Sequence, residues 1–433
     1  MVSSISCPLY PKILRFSGRY LIVYLGQVTK LLPMKVALAY SGGLDTTVAI
    51  KWLQEKYSAE VIAVAVDVGQ EEDFKVIEER ALAAGAEKFV LVDGRKRFAE
   101  EFIPKCVMAN GLYEGEYPLS TALARPLIAE EVARVALREG VDAVAHGCTG
   151  KGNDQIRMDA SFSVLLPDVR IIAPIREWNM SRDQEMEYAK KHGLPLDFRE
   201  SRFSIDDNLW GRSIEAAELE DPWIEPPWEA FKYIAPPSKW PDDPEEVVIG
   251  FENGRPNAIN GEEMGMAELI REINSIAGRH GFGIVDHIED RVIGLKSREV
   301  YEVPAALTLI RAHMDLEKMV LGKRFLEFKR LVDSKWADLV YSGLWHDRLR
   351  EALEEFIEYS QDGLTGEVRV RFYKGSMRIL GRRCEQPLYS KELITYSKES
   401  LFDQRDGASF SKLWTLEMRL QKLARSGRTK RRD

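Results

Sequence analysis

The sequence is poor in cysteine and histidine, and neither residue type occurs in a paired arrangement. The four cysteines among its 433 residues, Cys7, Cys106, Cys148 and Cys384, form no CxxC pair. This spacing argues against a zinc knuckle, a dithiol redox site and a disulfide framework. The six histidines show no HExxH spacing, so we predict no protein-held metal site. Unpaired cysteines are typical of a reducing compartment, and we therefore expect a cytoplasmic protein.

The chain also lacks an excess of positive charge and a long apolar run. Its formal net charge is −8, so nucleic acid is not an expected partner. An apolar run at 20–25 follows basic residues like a signal peptide, but polar residues soon interrupt it and it is too short to span a bilayer. We predict no membrane partner. We interpret 1–33 as a non-functional leader extension, disordered or loosely packed, ahead of a second methionine, Met34.

Alternating apolar runs and amphipathic stretches follow the leader. Continuous apolar runs predict buried parallel strands at 36–39, 61–66, 89–92, 143–145 and 171–173. Helical periodicity is clearest at 45–57, 71–84 and 121–139. We therefore predict a doubly wound α/β nucleotide-binding domain with a parallel sheet, whose ligands lie beyond the carboxyl ends of the strands.

A segment rich in proline and tryptophan, 221–244, breaks this pattern and predicts irregular, packed structure. An α+β texture follows it. Hairpins are predicted at 247–259, turning at Asn253-Gly254, and at 367–380, turning at Lys374-Gly375. Helices are predicted at 266–277 and 305–319.

The last residues combine an apolar stripe with a basic tail. Leu413, Leu416, Leu420 and Leu423 predict one helix face that packs on its own domain or serves as an oligomer arm. We interpret the basic residues after them as a solvated tail. The predicted divisions of the chain are a leader (1–33), a doubly wound α/β domain (34–200), an α+β domain (201–412), and a C-terminal helix with its tail (413–433).

The most informative motif is the run Ser41-Gly42-Gly43-Leu44-Asp45-Thr46, between the first predicted strand and the first helix. Glycine backbone N–H groups and the start of a helix can converge on an anion. The motif lacks the lysine of a GxxxxGK[ST] loop, which favours a cradle for departing pyrophosphate over a Walker A site. A plain strand-to-helix turn is the alternative.

A second glycine-rich loop, 146–157, follows the strand predicted at 143–145. Lys151 could neutralise phosphate, whereas Asn153, Asp154 and Arg157 could bind a ligand bearing both an amine and a carboxylate. Ordinary helix capping is the alternative.

Two further segments are ambiguous by themselves. Ser120 or Thr121 could simply cap a helix. The charged, loop-like stretch 289–304 is typical of a solvated face.

Together these segments resemble the argininosuccinate synthases. SGGLDT alone marks the wider group of ATP pyrophosphatases. Its combination with GCTGKGNDQIR, YPLSTALARP, FSIDDNLWGRSIE and RVIGLKSREVYEVPAA is far more specific, and the similarity runs from 34 to near 413. A tRNA-modifying ATP pyrophosphatase and a non-catalytic nucleotide-binding module are the alternatives.

The resemblance implies that ATP, with Mg²⁺, drives the condensation of citrulline with aspartate through a citrullyl-adenylate, releasing AMP and pyrophosphate for arginine biosynthesis. It also implies a homotetramer, with 34–200 as an ATP-binding domain and 201–412 as a synthetase and multimerisation domain. By resemblance, ATP is held by Ala39, Tyr40, Ser41, Gly42, Gly43, Leu44, Asp45, Thr46, Thr47, Val66 and Gly147. By resemblance, aspartate is held by Thr149, Asn153 and Asp154. Citrulline is held by Tyr117, Thr121, Asn153, Arg157, Ser204, Ser213, Glu289 and Tyr301. We predict Asp45, Lys151 and Asp154 as the catalytic residues, with Mg²⁺ held by phosphate and water and not by a protein cage.

Two positions depart from the family pattern. Some members carry serine where this chain has Ala122, so a hydroxyl contact to citrulline is lost or moves to Thr121. Thr47 also replaces a serine, a change that keeps the hydroxyl.

Overall fold

A computed structural model of the chain describes residues 12–16, 19–24, 27–195, 202–397 and 400–426. The chain divides into two compact units, Met1–Gln386 and Pro387–Asp433. The first described elements are three antiparallel strands, β1 (Lys12–Phe16), β2 (Arg19–Tyr24) and β3 (Gln27–Leu32). The strands differ from the expectation of a disordered leader over these ranges, whereas loose packing and lack of function stay predictions. The basic tail beyond 426 lies outside the described residues.

The predicted parallel sheet is confirmed. Its five strands are β4 (Met34–Ala39), β5 (Ala59–Asp67), β6 (Lys88–Asp93), β7 (Ala143–His146) and β8 (Arg170–Ile172). They lie in the order β6-β5-β4-β7-β8, all parallel. The order reverses between β4 and β7, where Ala39 pairs with His146. A doubly wound sheet opens a ligand crevice at such a point, beyond the carboxyl ends of the two strands.

Helices connect and cover these strands. They are α1 (Leu44–Tyr57), α2 (Phe74–Ala83), α3 (Arg95–Arg97), a π-helical turn (Phe98–Phe102), α4 (Ile103–Met108), α5 (Ser120–Glu139), α6 (Asp154–Leu165), α7 (Pro174–Trp178) and α8 (Arg182–Lys191). The helix predicted at 71–84 starts later because the side chain of Asp73 caps it, accepting from the backbone N–H groups of Lys75 and Val76.

Nine antiparallel strands build the second half of the first unit. They are β9 (Ser204–Asn208), β10 (Gly211–Glu215), β11 (Glu245–Glu252), β12 (Arg255–Ile259), β13 (Glu262–Glu263), β14 (Ile284–Asp290), β15 (Lys296–Glu302), β16 (Gly366–Tyr373) and β17 (Ser376–Cys384). They form one sheet in the order β14-β15-β10-β9 and another in the order β13-β12-β11-β16-β17. The accompanying helices are α9 (Met266–Arg279), α10 (Pro304–Val320), α11 (Lys323–Tyr341) and α12 (Arg348–Tyr359).

The local predictions in this half are largely confirmed. Both hairpin turns lie where predicted, and each has two residues with positive φ, 45° and 75° at Asn253-Gly254 and 42° and 78° at Lys374-Gly375. The stretch at 221–244 contains only short 3₁₀ turns, Trp228–Ala230 and Pro237–Lys239.

The prediction that 289–304 is a loop-like, solvated segment was wrong. Most of this stretch belongs to the hairpin of β14 and β15, and Glu289, Glu299 and Tyr301 are buried. Local charge density favours an exposed loop, but it does not show that the strands pair against the rest of the protein.

The second unit contains α13 (Lys391–Ile394), α14 (Asp406–Trp414) and α15 (Leu416–Arg425). The predicted single helix carrying four leucines is therefore divided at Thr415. Leu413 lies on α14, and Leu416, Leu420 and Leu423 lie on α15.

The parallel sheet is buried on both faces by two different clusters. Ala37 packs into a large core that also contains Trp210 and Trp336 of the second half. Val36 and Leu38, on the opposite face, pack into a smaller core with helix α1. Because the large core is continuous across both halves of the first unit, the antiparallel sheets are held against the half that contains the parallel sheet.

Candidate active site

The first glycine-rich loop joins β4 to α1 at the reversal of strand order. Gly42 has φ +77°, a left-handed conformation that glycine adopts without strain. The hydroxyl oxygens of Ser41 and Thr46 lie 3.2 Å apart. Arg80 donates to the carbonyl of Gly42. The loop and the N-terminus of α1 thus present hydroxyl and backbone N–H groups to one side, an arrangement suited to an anion.

Thr47 differs from the other predicted ATP ligands. Its side chain is fully buried, and its hydroxyl lies 3.0 Å from that of Tyr40. This contact orients Tyr40, which itself lines the site cavity. The structure therefore gives Thr47 a contact that supports the loop.

The second loop, between β7 and α6, touches the first one directly. A β-carbon at Gly147 would lie 2.6 Å from Cγ2 of Thr46, closer than side-chain atoms can approach. Glycine at this position therefore lets the two loops meet.

A cavity of about 420 Å³ opens where the loops meet. Most of the predicted site residues line it. They are Ala39, Tyr40, Ser41, Asp45, Thr46, Val66, Tyr117, Thr121, Gly147, Thr149, Asn153, Asp154, Arg157, Ser204, Ser213, Glu289 and Tyr301. Gly42, Gly43, Leu44, Thr47 and Lys151 do not line it.

Lys151 is the predicted catalytic residue with the least support from this geometry. It is exposed, and its backbone carbonyl accepts from Nη1 of Arg291 at 3.3 Å. Its role stays a prediction.

Two arginines flank the carboxylate of Asp154. Arg125 Nε donates to Asp154 Oδ2 at 2.9 Å, and Arg157 Nη1 donates to Oδ1 at 2.8 Å. Burial disfavours the charged carboxylate, but the two guanidinium groups outweigh burial and hold the pKa of Asp154 below its usual value. Arg125 also pairs with Asp206 of β9. The pairing links the start of α6 to the antiparallel sheet.

A second carboxyl group that lines the cavity, Glu289, is buried. Tyr301 donates to its Oε2 at 2.6 Å, and Tyr341 donates to its Oε1 at 2.5 Å. Asn153 Nδ2 donates to the same Tyr341 oxygen at 2.8 Å. Because both oxygens of Glu289 accept hydrogen bonds, the carboxyl group is held in place and can face a substrate ammonium group without rearranging.

A second group of charges surrounds Arg291. Its Nη2 lies 2.7 Å from Glu299 and 3.0 Å from Glu215. Burial raises the pKa of Glu299 to about 8, and the charges of Glu215 and Glu289 add to this effect. Glu215, Glu289 and Glu299, with the guanidinium of Arg291, form one wall of the cavity at β10, β14 and β15, called the acidic wall below for its carboxyl side chains.

The spacing of the wall residues follows from strand geometry. Ser213 pairs with Tyr301 on β15 and with Asp206 on β9. Side chains two residues apart on a strand share a face, so Ser204 and Asp206 point the same way. The sheet thus presents alternate residues to the glycine-rich loops.

His146, at the end of β7, supports the second loop. Its Nδ1 accepts from the backbone N–H of Cys148 at 3.2 Å, and its Nε2 lies 2.9 Å from Asp159 Oδ1. A nitrogen that accepts carries no proton, so Nε2 is the protonated nitrogen. Arg176 also binds Asp159, with Nη1 at 2.5 Å from Oδ2.

Several residues in or behind the cavity were not predicted from the sequence. They are Arg125, His146, Asp206, Glu215, Arg291, Glu299 and Tyr341. All but Tyr341 fall inside or next to the quoted motifs, so a motif-based search could have selected them. Tyr341 follows no motif, and only its contacts identify it.

Metal binding by the protein alone has no support in this geometry. Within the described ranges, no three His, Cys, Asp or Glu side chains come together in a way that could hold a metal ion. Among the same residues, no helix has both the length and the apolar character needed to cross a membrane.

Two family models match consecutive parts of the chain. The family model described as "Arginosuccinate synthase N-terminal HUP domain" matches residues 35–195, and the one described as "Arginosuccinate synthase C-terminal domain" matches 203–421. The argininosuccinate synthase of Pyrococcus furiosus is 54% identical over 384 residues, covering 89% of this chain and 93% of the relative. That of Dehalococcoides mccartyi strain 195 is 52% identical over 388 residues, covering 89% and 96%.

Symbiobacterium thermophilum has a further relative named argininosuccinate synthase, 50% identical over 384 residues and covering 88% of this chain and 96% of its own. The matched segments contain both glycine-rich loops and the acidic wall. The chain is therefore a member of the argininosuccinate synthase family, a family of ligases.

Proposed function

We propose that the chain catalyses the ATP-dependent condensation of L-citrulline with L-aspartate to argininosuccinate, a step of arginine biosynthesis. The proposal depends on one observation above all. The two glycine-rich loops meet at Gly147 and Thr46 and line one cavity with the acidic wall. A nucleotide and two amino acids would therefore share a single reaction space.

The first loop is the proposed pyrophosphate site. Ser41 and Thr46 supply hydroxyl groups, and the backbone N–H groups at the start of α1 supply partial positive charge that attracts phosphate. Pyrophosphate must be stabilised as it leaves and then be released. Hydrogen bonds from such a loop can do both because they are individually weak. Val66 and Gly147, which also line the cavity, are proposed to contact the rest of the nucleotide.

Arg157 is proposed to bind a substrate carboxylate. Its side chain is buried, and among the described residues its Nη2 has no hydrogen-bond partner. Nε and Nη1 are occupied by Tyr341 and Asp154. An unpaired guanidinium nitrogen in a cavity is costly unless a ligand satisfies it, and a carboxylate is the natural ligand.

The acidic wall is proposed to bind the α-ammonium group of citrulline. Glu289 is the main candidate, since both of its oxygens are oriented by tyrosine hydroxyls. Thr149, Asn153 and Asp154, on the second loop, are proposed to bind aspartate.

The reaction would proceed in two steps. The ureido oxygen of citrulline attacks the α-phosphorus of ATP, forming a citrullyl-adenylate and releasing pyrophosphate toward the first loop. The aspartate amine then attacks the activated carbon and AMP leaves. The protein contributes mainly positioning and charge stabilisation, which dominate catalysis of such transfers.

The residues present are compatible with Mg²⁺ bound through the substrate. With no protein cage among the described residues, ATP phosphates and water would supply most of its ligands, and Asp45, which lines the cavity, would supply a carboxylate. Bound there, the ion would neutralise phosphate charge.

Formation of AMP tests the proposed function. The purified chain is incubated with ATP and Mg²⁺, and AMP is followed with citrulline, aspartate, both or neither. We expect AMP only when both amino acids are present, together with argininosuccinate in equal amount. AMP formation that instead requires tRNA, or no turnover at all, would contradict the proposal.

We further propose a cytoplasmic homotetramer in which the second unit serves as an oligomer arm. Leu416, Leu420 and Leu423 share one face of α15, a stripe suited to packing against another helix. Light scattering should report a tetramer for the full chain and a smaller assembly for a chain ending at Gln386. An unchanged mass after this truncation would contradict the role of the arm.

A further inference from the structure

The hydroxyl group of Tyr341 lies between the two proposed amino-acid sites. It donates to Glu289 Oε1 at 2.5 Å and accepts from Asn153 Nδ2 at 2.8 Å. Glu289 is the proposed citrulline ligand and Asn153 the proposed aspartate ligand. Tyr341 itself does not line the cavity, so it acts from behind both residues.

The direction of these hydrogen bonds is determined by their neighbours. The side-chain oxygen of Asn153 accepts from the backbone N–H of Val292 at 3.0 Å, so its amide nitrogen faces Tyr341. A phenol has one proton to donate, and Glu289 is the acceptor. Burial and the charge of Glu289 raise the pKa of Tyr341 above its usual value, which keeps that proton in place.

The ring of Tyr341 is held as firmly as its hydroxyl. It stacks on Tyr113 with centroids 3.5 Å apart and planes 3° from parallel. The guanidinium of Arg157 lies 5.0 Å from the ring centroid, and Arg157 Nε donates to the Tyr341 carbonyl at 3.0 Å. One residue at the end of α11 thus contacts three proposed substrate ligands, Asn153, Arg157 and Glu289.

We propose that Tyr341 is a positioning residue that couples citrulline binding to aspartate binding through its single hydroxyl group. This inference rests on the proposed function, because it needs the two substrates to occupy the two sites. Loss of the hydroxyl frees Glu289 Oε1 and Asn153 Nδ2 together, so both sites lose their alignment. The nucleotide loop has no part in this contact and should be unaffected.

Tyr301 provides a matched comparison. Its hydroxyl donates to the other oxygen of the same carboxylate, Glu289 Oε2, at 2.6 Å, and its ring stacks on Tyr117. Tyr301→Phe therefore removes a phenol from Glu289 but leaves the bond between Asn153 and Tyr341. It should affect citrulline and leave aspartate unchanged.

The experiment measures KM for each of the three substrates, and kcat, in Tyr341→Phe, Tyr301→Phe and the unaltered chain. For Tyr341→Phe we expect the KM values of citrulline and aspartate each to rise about tenfold, the size typical for loss of a hydrogen bond to a charged or oriented group. The KM of ATP should stay within the error of the unaltered chain. Tyr301→Phe should raise only the KM of citrulline.

A double substitution adds a readout that loss of stability would not produce. If Tyr341 acts on citrulline through Glu289, combining Tyr341→Phe with Glu289→Gln should raise the citrulline KM by less than the product of the single effects. The aspartate effect of Tyr341→Phe should persist. Melting temperatures identify any variant that fails to fold. If Tyr341→Phe alone fails to fold, the aspartate KM is compared between Glu289→Gln and the double variant, in which position 289 carries a neutral side chain.

The inference is overturned if the aspartate KM of Tyr341→Phe equals that of the unaltered chain, or if all three KM values rise together. A Tyr341→Phe variant with a lower melting temperature but unchanged KM values also overturns the inference. AMP formation by the unaltered chain without citrulline and aspartate would instead overturn the proposed function, and the inference with it. Turnover that needs both substrates, combined with unaltered kinetics in Tyr341→Phe, refutes only the coupling.

Discussion

Gly147 determines how closely the two glycine-rich loops approach each other. The 2.6 Å separation between its hypothetical β-carbon and Cγ2 of Thr46 leaves no room for a methyl group. Gly150, in the same loop, is different. A β-carbon there would meet Arg176 Cγ at 3.7 Å, an ordinary contact. Substituting each glycine in turn therefore distinguishes a change at the contact between the loops from a change elsewhere in the same loop.

Gly147→Ala should raise the KM of ATP about tenfold or more, because overpacking of this size displaces one loop from the other. Gly150→Ala is the control and should leave ATP kinetics unchanged. Steady-state assays at saturating citrulline and aspartate measure the difference. Equal KM values for the two variants would show that the loops do not need to touch.

Asp154→Asn should raise the KM of aspartate by roughly tenfold, since it removes the carboxylate that orients Arg125 and Arg157. The KM of ATP should change little. Asp206→Asn is the comparison, because it removes a partner of Arg125 while the pair of Asp154 and Arg157 remains. Equal losses of ATP and aspartate use in Asp154→Asn would contradict its assignment to aspartate.

At the scale of elements, helix α8 contributes a buried carboxyl group beside the start of α1. Burial, followed by the contact with Asp45, raises the pKa of Glu185 from 4.5 to about 8. In the unfolded chain this group loses its proton near its ordinary pKa. Between the two values the folded state binds more protons, so the free energy of unfolding falls as pH rises.

Glu185→Gln should remove this part of the pH dependence. The contribution is on the order of 1.4 kcal/mol for each pH unit of difference between the two pKa values, so the variant should melt higher than the unaltered chain at pH 8 and similarly near pH 4.5. Glu187→Gln, an exposed position on the same helix, is the control and should follow the unaltered chain. Parallel pH profiles for Glu185→Gln and the unaltered chain would contradict a protonated Glu185. Thermal melting across this pH range provides the measurement.

At the scale of the whole molecule, a buried lysine joins the two halves of the first unit. Lys329 of α11 is 1% exposed. Its ammonium group donates to the carbonyl of Met108 at 2.8 Å and lies 2.8 Å from Asp333 and 2.9 Å from Glu317. Met108 ends α4 in the half that contains the parallel sheet, so this contact ties that half to α10 and α11.

Lys329→Met should lower the free energy of unfolding by about 3–5 kcal/mol, because it leaves buried carboxylates without their cation. Urea denaturation measures the loss. Lys323→Met, on the same helix, is the control. Lys323 is 81% exposed and lies 3.8 Å from Glu327, so its removal should change stability by less than about 1 kcal/mol. Equal stabilities of the two variants would show that the buried contact contributes nothing.

Removal of residues 1–33 should leave all kinetic constants unchanged. The cavity is lined by residues from Ala39 to Tyr301, and β4 starts at Met34. Activity and solubility of the shortened chain provide the measurement. A truncated chain that is inactive or insoluble would show that the leader has a structural role.

The sequence alone determined the local features of the protein. Continuous apolar runs identified β4 to β8 because a strand covered on both faces must be apolar throughout. Glycine-rich loops at two strand ends identified two segments that line the cavity, since the strand, turn and helix start are contiguous in the chain. Local charge was misleading at 289–304, where hairpin pairing buries Glu289.

Tertiary structure alone decided which distant residues meet. Tyr341 reaches Asn153 across 188 positions of sequence, and Arg125 reaches Asp206 across 81. Such contacts depend on packing of the antiparallel sheets and α11 against the parallel sheet, and no local periodicity encodes that arrangement. The loops could be predicted because each is formed by residues that are contiguous in the sequence. The acidic wall and the Tyr341 hydroxyl behind it form only when the core brings separate segments together.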